Sequence, residues 1–306
     1  MLKPINTNTN SFRVDTKTVN RNGEYRDPLM KWPLRGAAFT NEVGEALRPL
    51  IGNYATLSWA PALLYIGADI YDKYKNNKTE YSPDSQRCLK QAIFQGMASI
   101  FLPLVAVKAG QGLFSLFGML SKDKLTINAK EQVDKLAQEF VANGQMRAHR
   151  HNDEQCVKDF MDIVANNIDY KKQKQSVKNP LKKIHLQIQD SLSLNKKANI
   201  DKYAESVIKK LIKMRKELID PSLDGSTDKL HKYYNKALEQ GQTRNVAVKS
   251  ALNKHLCKSA LKGRFIKTIG GFIALGLAIK PIDNFVEHVL IGKVIEPRLD
   301  KYKNSD

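Results

Sequence analysis

Arg35-Gly36-Ala37-Ala38-Phe39-Thr40-Asn41-Glu42-Val43-Gly44-Glu45-Ala46-Leu47-Arg48 is where a polar N-terminal tail gives way to packed helix. Asn41 has the short acceptor side chain of a good N-cap, so the helix is expected to start there. Glu42 and Glu45 follow in the first turn, where negative charge suits the positive end of the helix dipole. Val43, Ala46, Leu47 and Leu50 fall at i, i+3, i+4 and i+7 and predict one apolar face. On that periodicity Glu42, Glu45 and Arg48 form a solvated face, with an i,i+3 pair worth a few tenths of a kcal/mol. Pro49 predicts a break or kink.

Working outward, the chain reads as all-helical, because alternating apolar and polar residues are nearly absent. It has 306 residues and a formal charge of +19. That balance points to a polyanionic partner, either a phosphate backbone or an anionic lipid surface. Cys88, Cys156 and Cys257 are odd in number and widely spaced, so they predict no disulfide framework. Residues 1–34 read as a flexible tail: Asn-Thr-rich, and carrying Asp15, Glu24 and Asp27, they suit neither an amphipathic acid-poor presequence nor a secretory leader.

Three apolar runs are marginal membrane spans. Tyr54–Tyr71 carries Trp59 and a kinking Pro61, and Gln91–Val107 is interrupted by Gln95 and Pro103 and ended by Lys108. Phe265–Ile279 contains Lys267 and is followed by Lys280; the two lysines stand roughly 20 Å apart along a helix, short of a hydrocarbon core of about 30 Å unless both snorkel. Ala109–Leu120 is too short to cross and is expected to lie in the interface. Two small-residue sets predict close helix packing: Ala92 with Gly96, and Gly270 with Ala274 and Ala278.

Residues 121–260 change character. Five apolar stripes recur at helical spacing on lysine-crowded helices, centred on Phe140, Phe160, Ile208, Tyr233 and Leu252, with stops at Gly144, Pro221, Asp224-Gly225 and Gly241. This region reads as a basic, water-soluble helical bundle inserted between membrane segments, and it holds most of the excess positive charge.

Four blocks along the chain resemble the mitochondrial fission process protein family, helical proteins of the mitochondrial inner membrane. The family's Asn-Glu-Val-Gly-Glu-Ala signature stands at Asn41 to Ala46, with Arg48 beyond it. Tyr65 to Lys73, holding Asp69 and Asp72, is similar to the end of the family's first hydrophobic segment. Phe94 to Pro103, holding Gln95, Ser99 and Pro103, is similar to its aromatic-Gln, Ala-Ser, Pro segment, and Pro281-Ile282-Asp283 to the close of its last helix. The resemblance implies a membrane region in residues 35–120 and 261–306, around the insert. It also implies a non-enzymatic role in inner-membrane organisation or division, with no cofactor. The expected location is a bacterial or mitochondrial inner membrane, and the expected partners are anionic membrane lipids and other copies through helix packing.

No catalytic set is visible. Gly110, Gly112 and Gly118 are not spaced for a dinucleotide loop. His149, His151 and Cys156 lack a paired CxxC and read as an ordinary loop and helix start rather than zinc ligands. Asp69, Asp72 and Asp283 terminate apolar runs, which suits interfacial acids; the resemblance adds pairing with lysine or arginine that fixes how the helices meet. Aromatic residues of the insert sit on its apolar faces rather than on a base-stacking platform, which disfavours nucleic acid. The rival reading is a soluble basic helical protein that binds nucleic acid or an anionic membrane surface.

Overall fold

A computed structural model describes Leu29 and residues 31–76, 83–149, 151–168, 196–220 and 228–303. The expected tail and the stops at Pro221 and Asp224-Gly225 lie outside those residues, apart from positions 29 and 31–34. The described chain is all-α: no strand occurs among the described residues. It forms two compact units, residues 1–108 with 271–306, and residues 109–270.

In the first unit, α1 (Leu34–Ala37) leads into α2 (Thr40–Ile51). Pro49 does not break α2, which ends at Gly52 in a backbone conformation with φ 60° that favours glycine. A 3₁₀ stretch (Gly52–Ser58) separates α2 from α3 (Trp59–Lys75). The expected single span Tyr54–Tyr71 is therefore divided, with Pro61 in the first turn of α3. α4 (Ser85–Phe94) starts on Asp84, whose carboxylate accepts from the Gln86 N–H at 2.8 Å. It passes through a π-helical segment (Gln95–Phe101) into α5 (Leu102–Ser115).

Lys108 does not end that helix. The run from Ser85 to Leu120 is one helix of 36 residues, so Ala109–Leu120 continues it rather than lying apart. The last apolar run is likewise part of one helix of 56 residues, Arg244–Leu299. Its α-helical part is α11 (Arg244–Asn284), and a π-helical segment (Phe285–Ile295) follows Pro281, which lacks the amide that would bond to Leu277. These two are the helices among the described residues that are long and apolar enough to cross a membrane.

In the second unit, Thr126 caps α6 (Ile127–Ala142) by accepting from Ala129 N–H at 3.2 Å. Gly144, at φ 74°, turns the chain into α7 (Gln145–Ala148), and Asn152 caps α8 (Asp153–Asn167). α9 (Lys197–Ile219), α10 (Asp228–Glu239) and the start of α11 complete the unit. The five stripes read from the sequence meet in one core, where Phe140 and Phe160 pack edge to face with centroids 5.4 Å apart. Cys156 is buried in that core, and His149 pairs instead with Asp159 at 2.7 Å. No group of three metal-capable side chains gathers among the described residues.

Candidate functional site

The first unit is built around polar residues. Asn41, Glu42 and Glu45 are each at most 5% exposed, whereas Val43, assigned by periodicity to the buried face, is 40% exposed. The face of α2 that packs inward is therefore Asn41, Glu42, Gly44, Glu45 and Ala46, and the expected solvated face is buried. Spacing alone identifies a stripe; it does not say which solvent faces the other side.

Asn41 is not the cap. The helix has already begun at Thr40, whose hydroxyl donates to the Ala37 carbonyl at 2.9 Å. Asn41 instead reaches across to α4's continuation and donates through Nδ2 to the Ser99 carbonyl at 2.8 Å. Two motif residues far apart in sequence are thus joined, the carbonyl of one helix taking a donor from the asparagine of another.

From Ser99 the seam runs on. The Ser99 hydroxyl donates to Gln95 Oε1 at 2.6 Å, and Gln95 and Gln91 both donate to the buried Asp69 carboxylate. The expected basic partner of Asp69 is replaced by two amides, which satisfy a carboxylate without a second charge in an apolar setting. Asp72 accepts from Asn76 at 2.9 Å and lies 3.6 Å from Lys73, at the end of α3. Asp283 faces Glu42, another carboxyl, rather than a lysine or arginine. Gln91 was legible in the sequence only as the fourth-residue neighbour of Gln95, one helical turn away.

Glu45 is the second focus. It bonds Arg48 through two hydrogen bonds, one of them Nε to Oε2 at 2.8 Å. Trp59 Nε1 donates to Oε1 at 3.1 Å, and Lys108 lies 3.1 Å from Oε2. Burial raises the pKa of this carboxyl, but Arg48, Trp59 and Lys108 outweigh it and hold the pKa down to about 2. Trp59, read in the sequence as part of an apolar run, and Lys108, read as the end of another, are in fact its ligands. Glu42 goes the other way: burial, then the nearby Asp283, pushes it up to about 7, and its Oε2 has no hydrogen-bond partner among the described residues.

Gly44 is needed for a close approach. A Cβ there would stand 1.7 Å from Ser58 Oγ and 3.0 Å from the Ala55 carbonyl, which that hydroxyl already holds at 2.6 Å. Gly44→Ala is expected to destabilise the first unit by about 2 kcal/mol through overpacking. Adding Ser58→Ala should recover part of that loss in a detergent thermal melt. Gly270 likewise admits Phe114, to which a Cβ would come within 2.4 Å, while Gly96 has open space and does not bring helices together.

Asn41, Glu42, Gly44, Glu45, Arg48, Asp69, Gln95, Ser99, Pro103 and Asp283 therefore all lie in the first unit, in or beside this seam; Pro281 is exposed on α11. The seam contains hydrogen bonds and ion pairs that join helices. No family model, curated protein or solved structure matches the chain.

Proposed function

We propose that the chain is an integral membrane protein of the mitochondrial fission process type, with a non-enzymatic role in organising or dividing an inner membrane. The observation carrying this reading is an inverted burial pattern. The most apolar windows of the two long helices are each only 22% buried, and Leu64, Phe101 and Leu277 are 76%, 48% and 74% exposed. A core helix of a water-soluble protein buries such a window; a membrane helix turns it to lipid. In the same unit the charged and amide groups point inward, where a hydrocarbon solvent would place them.

In this reading α3, at roughly 25 Å long, is a third, shorter membrane helix beside the two long ones. α2 is roughly 18 Å long, too short to cross, and serves as the polar wedge that ties the three together. The four sequence blocks supply the family-level role. The seam gives those residues a mechanical part in it, by fixing helix contacts where the hydrophobic effect offers none.

The test is extraction of membranes that contain the full chain. We expect it to remain in the pellet after washing with alkaline carbonate. Release by carbonate, with a monodisperse protein in the absence of detergent, would overturn the reading in favour of a soluble basic protein.

A further inference from the structure

The second unit carries a set of exposed lysines outside its ion pairs, and their location is specific. Gly118 and Gly263 both abut Ile127: a Cβ at Gly118 would lie 2.6 Å from its backbone N, and one at Gly263 2.7 Å from its Cγ2. This fixes the level at which the C-terminal end of the Ser85–Leu120 helix and the Gly263 stretch of α11 both flank Ile127 within the unit. At that level the turn after Leu120 exposes Lys122 and Lys124, and the helix before Gly263 exposes Lys258 and Lys262. Lys124 is held in the left-handed region at φ 48°, donating its N–H to the Ser121 carbonyl at 3.0 Å, so the turn is a defined one.

Neighbouring cations are already engaged. Lys130 lies 2.7 Å from Asp123, and Lys267 and Arg264 lie 2.7 and 3.9 Å from Glu131. The four outward lysines take part in no ion pair among the described residues. Beside them stand exposed apolar side chains, Phe117 and Leu120 on one helix and Leu261 and Phe265 on the other, at 52%, 83%, 52% and 55% exposure. Unpaired lysines next to exposed leucine and phenylalanine match a headgroup layer above acyl chains. A nucleic acid would leave those apolar groups in water.

We infer that Lys122, Lys124, Lys258 and Lys262 form a collar that binds anionic phospholipid headgroups at the surface of the membrane the long helices enter. The inference rests on the membrane reading above, and it adds a site, a ligand class and the residues that hold it. Phosphate oxygens of the lipid would accept from the ammonium groups while the apolar residues sit at the acyl boundary.

The experiment uses the purified full chain in neutral-detergent micelles, with phosphatidylglycerol or phosphatidylcholine added and the bound lipid counted by native mass spectrometry. Phosphatidylglycerol should be retained and phosphatidylcholine not. Each Lys→Gln change in the collar should lower retention about fivefold. A control with Lys135→Gln and Lys213→Gln, both on exposed faces elsewhere in the unit, should retain lipid as the parent does. Circular dichroism of each variant checks that the fold is kept. Equal retention of the two lipids, or a control as damaging as the collar changes, would overturn the collar and leave the membrane reading standing. Displacement of phosphatidylglycerol by a short DNA duplex at equal phosphate would reassign the lysines to nucleic acid and overturn the lipid assignment. A chain that stays monodisperse once detergent is removed would overturn the membrane reading itself, and the collar with it.

Discussion

Glu45→Ala should lower the stability of the first unit by about 3 kcal/mol, read as a fall in the thermal midpoint in mild detergent at pH 7. The carboxylate is nearly fully buried and holds three donors from two other elements and its own helix. Its removal leaves Arg48 and Lys108 without their anion and Trp59 without an acceptor. Those cations are 31% and 48% exposed, so they reach polar surroundings in part, and the loss belongs at the lower end of the range for broken buried pairs. The pH dependence has a definite sign. The folded pKa is depressed to about 2 from 4.5, so this contribution is present in full above pH 4.5 and disappears as pH falls towards 2. The Glu45→Ala variant should lose that acid-labile component, and its midpoint should be flatter than the parent's between those values. An unchanged midpoint at pH 7 would remove Glu45 from the seam.

Glu42→Gln should act in the opposite direction. Burial and Asp283 raise the folded pKa of Glu42 to about 7 from 4.5, so the folded state binds its proton more tightly than the unfolded chain does. Its favourable contribution is present below pH 4.5 and declines as pH rises through 7, beyond which the buried group is ionised. Glutamine has no proton to lose. The variant should therefore match the parent near pH 4.5 and exceed it by about 2–3 kcal/mol at pH 8. The two windows do not overlap: Glu45 governs the range from 2 to 4.5 and Glu42 the range from 4.5 to 7. The paired variants accordingly separate two carboxyls that sit one helical turn apart. A Glu42→Gln protein no more stable than the parent at pH 8 would show that this carboxyl is ionised without cost and hence solvated.

The opposite tuning of these neighbours is what periodicity misses. Their spacing from Val43 and Ala46 is that of an amphipathic helix in water, and the pattern read from it places both glutamates outside. Val43 is exposed and both acids are buried because the rest of the unit presents apolar surface outward and polar groups inward. A hydrophobic stripe marks a helix of the right period, but its direction depends on whether the surroundings are water or hydrocarbon.

Local chemistry did settle a good deal. The helical class, the five core stripes of the second unit, and the turns at Gly144 and Gly241 follow from periodicity, capping and the conformational freedom of glycine; the two glycines indeed stand at φ 74° and 77°. These are short-range properties, written within one or two helical turns. Asn41 and Ser99 belong to the other kind. Each is plain in the sequence, yet nothing in the residues around Ser99 says that its carbonyl accepts from an amide 58 residues earlier. The same holds for Lys108 and Trp59 on Glu45, and for the continuity of the two long helices past Lys108 and Lys267, where the charges that bound the apolar runs are neutralised by Glu45 and Glu131. The sequence by itself determined which segments are helices and which faces of the second unit pack together. Only the tertiary structure decided where the polar groups of the first unit go, because a buried polar group is satisfied by whichever helix the fold brings alongside it.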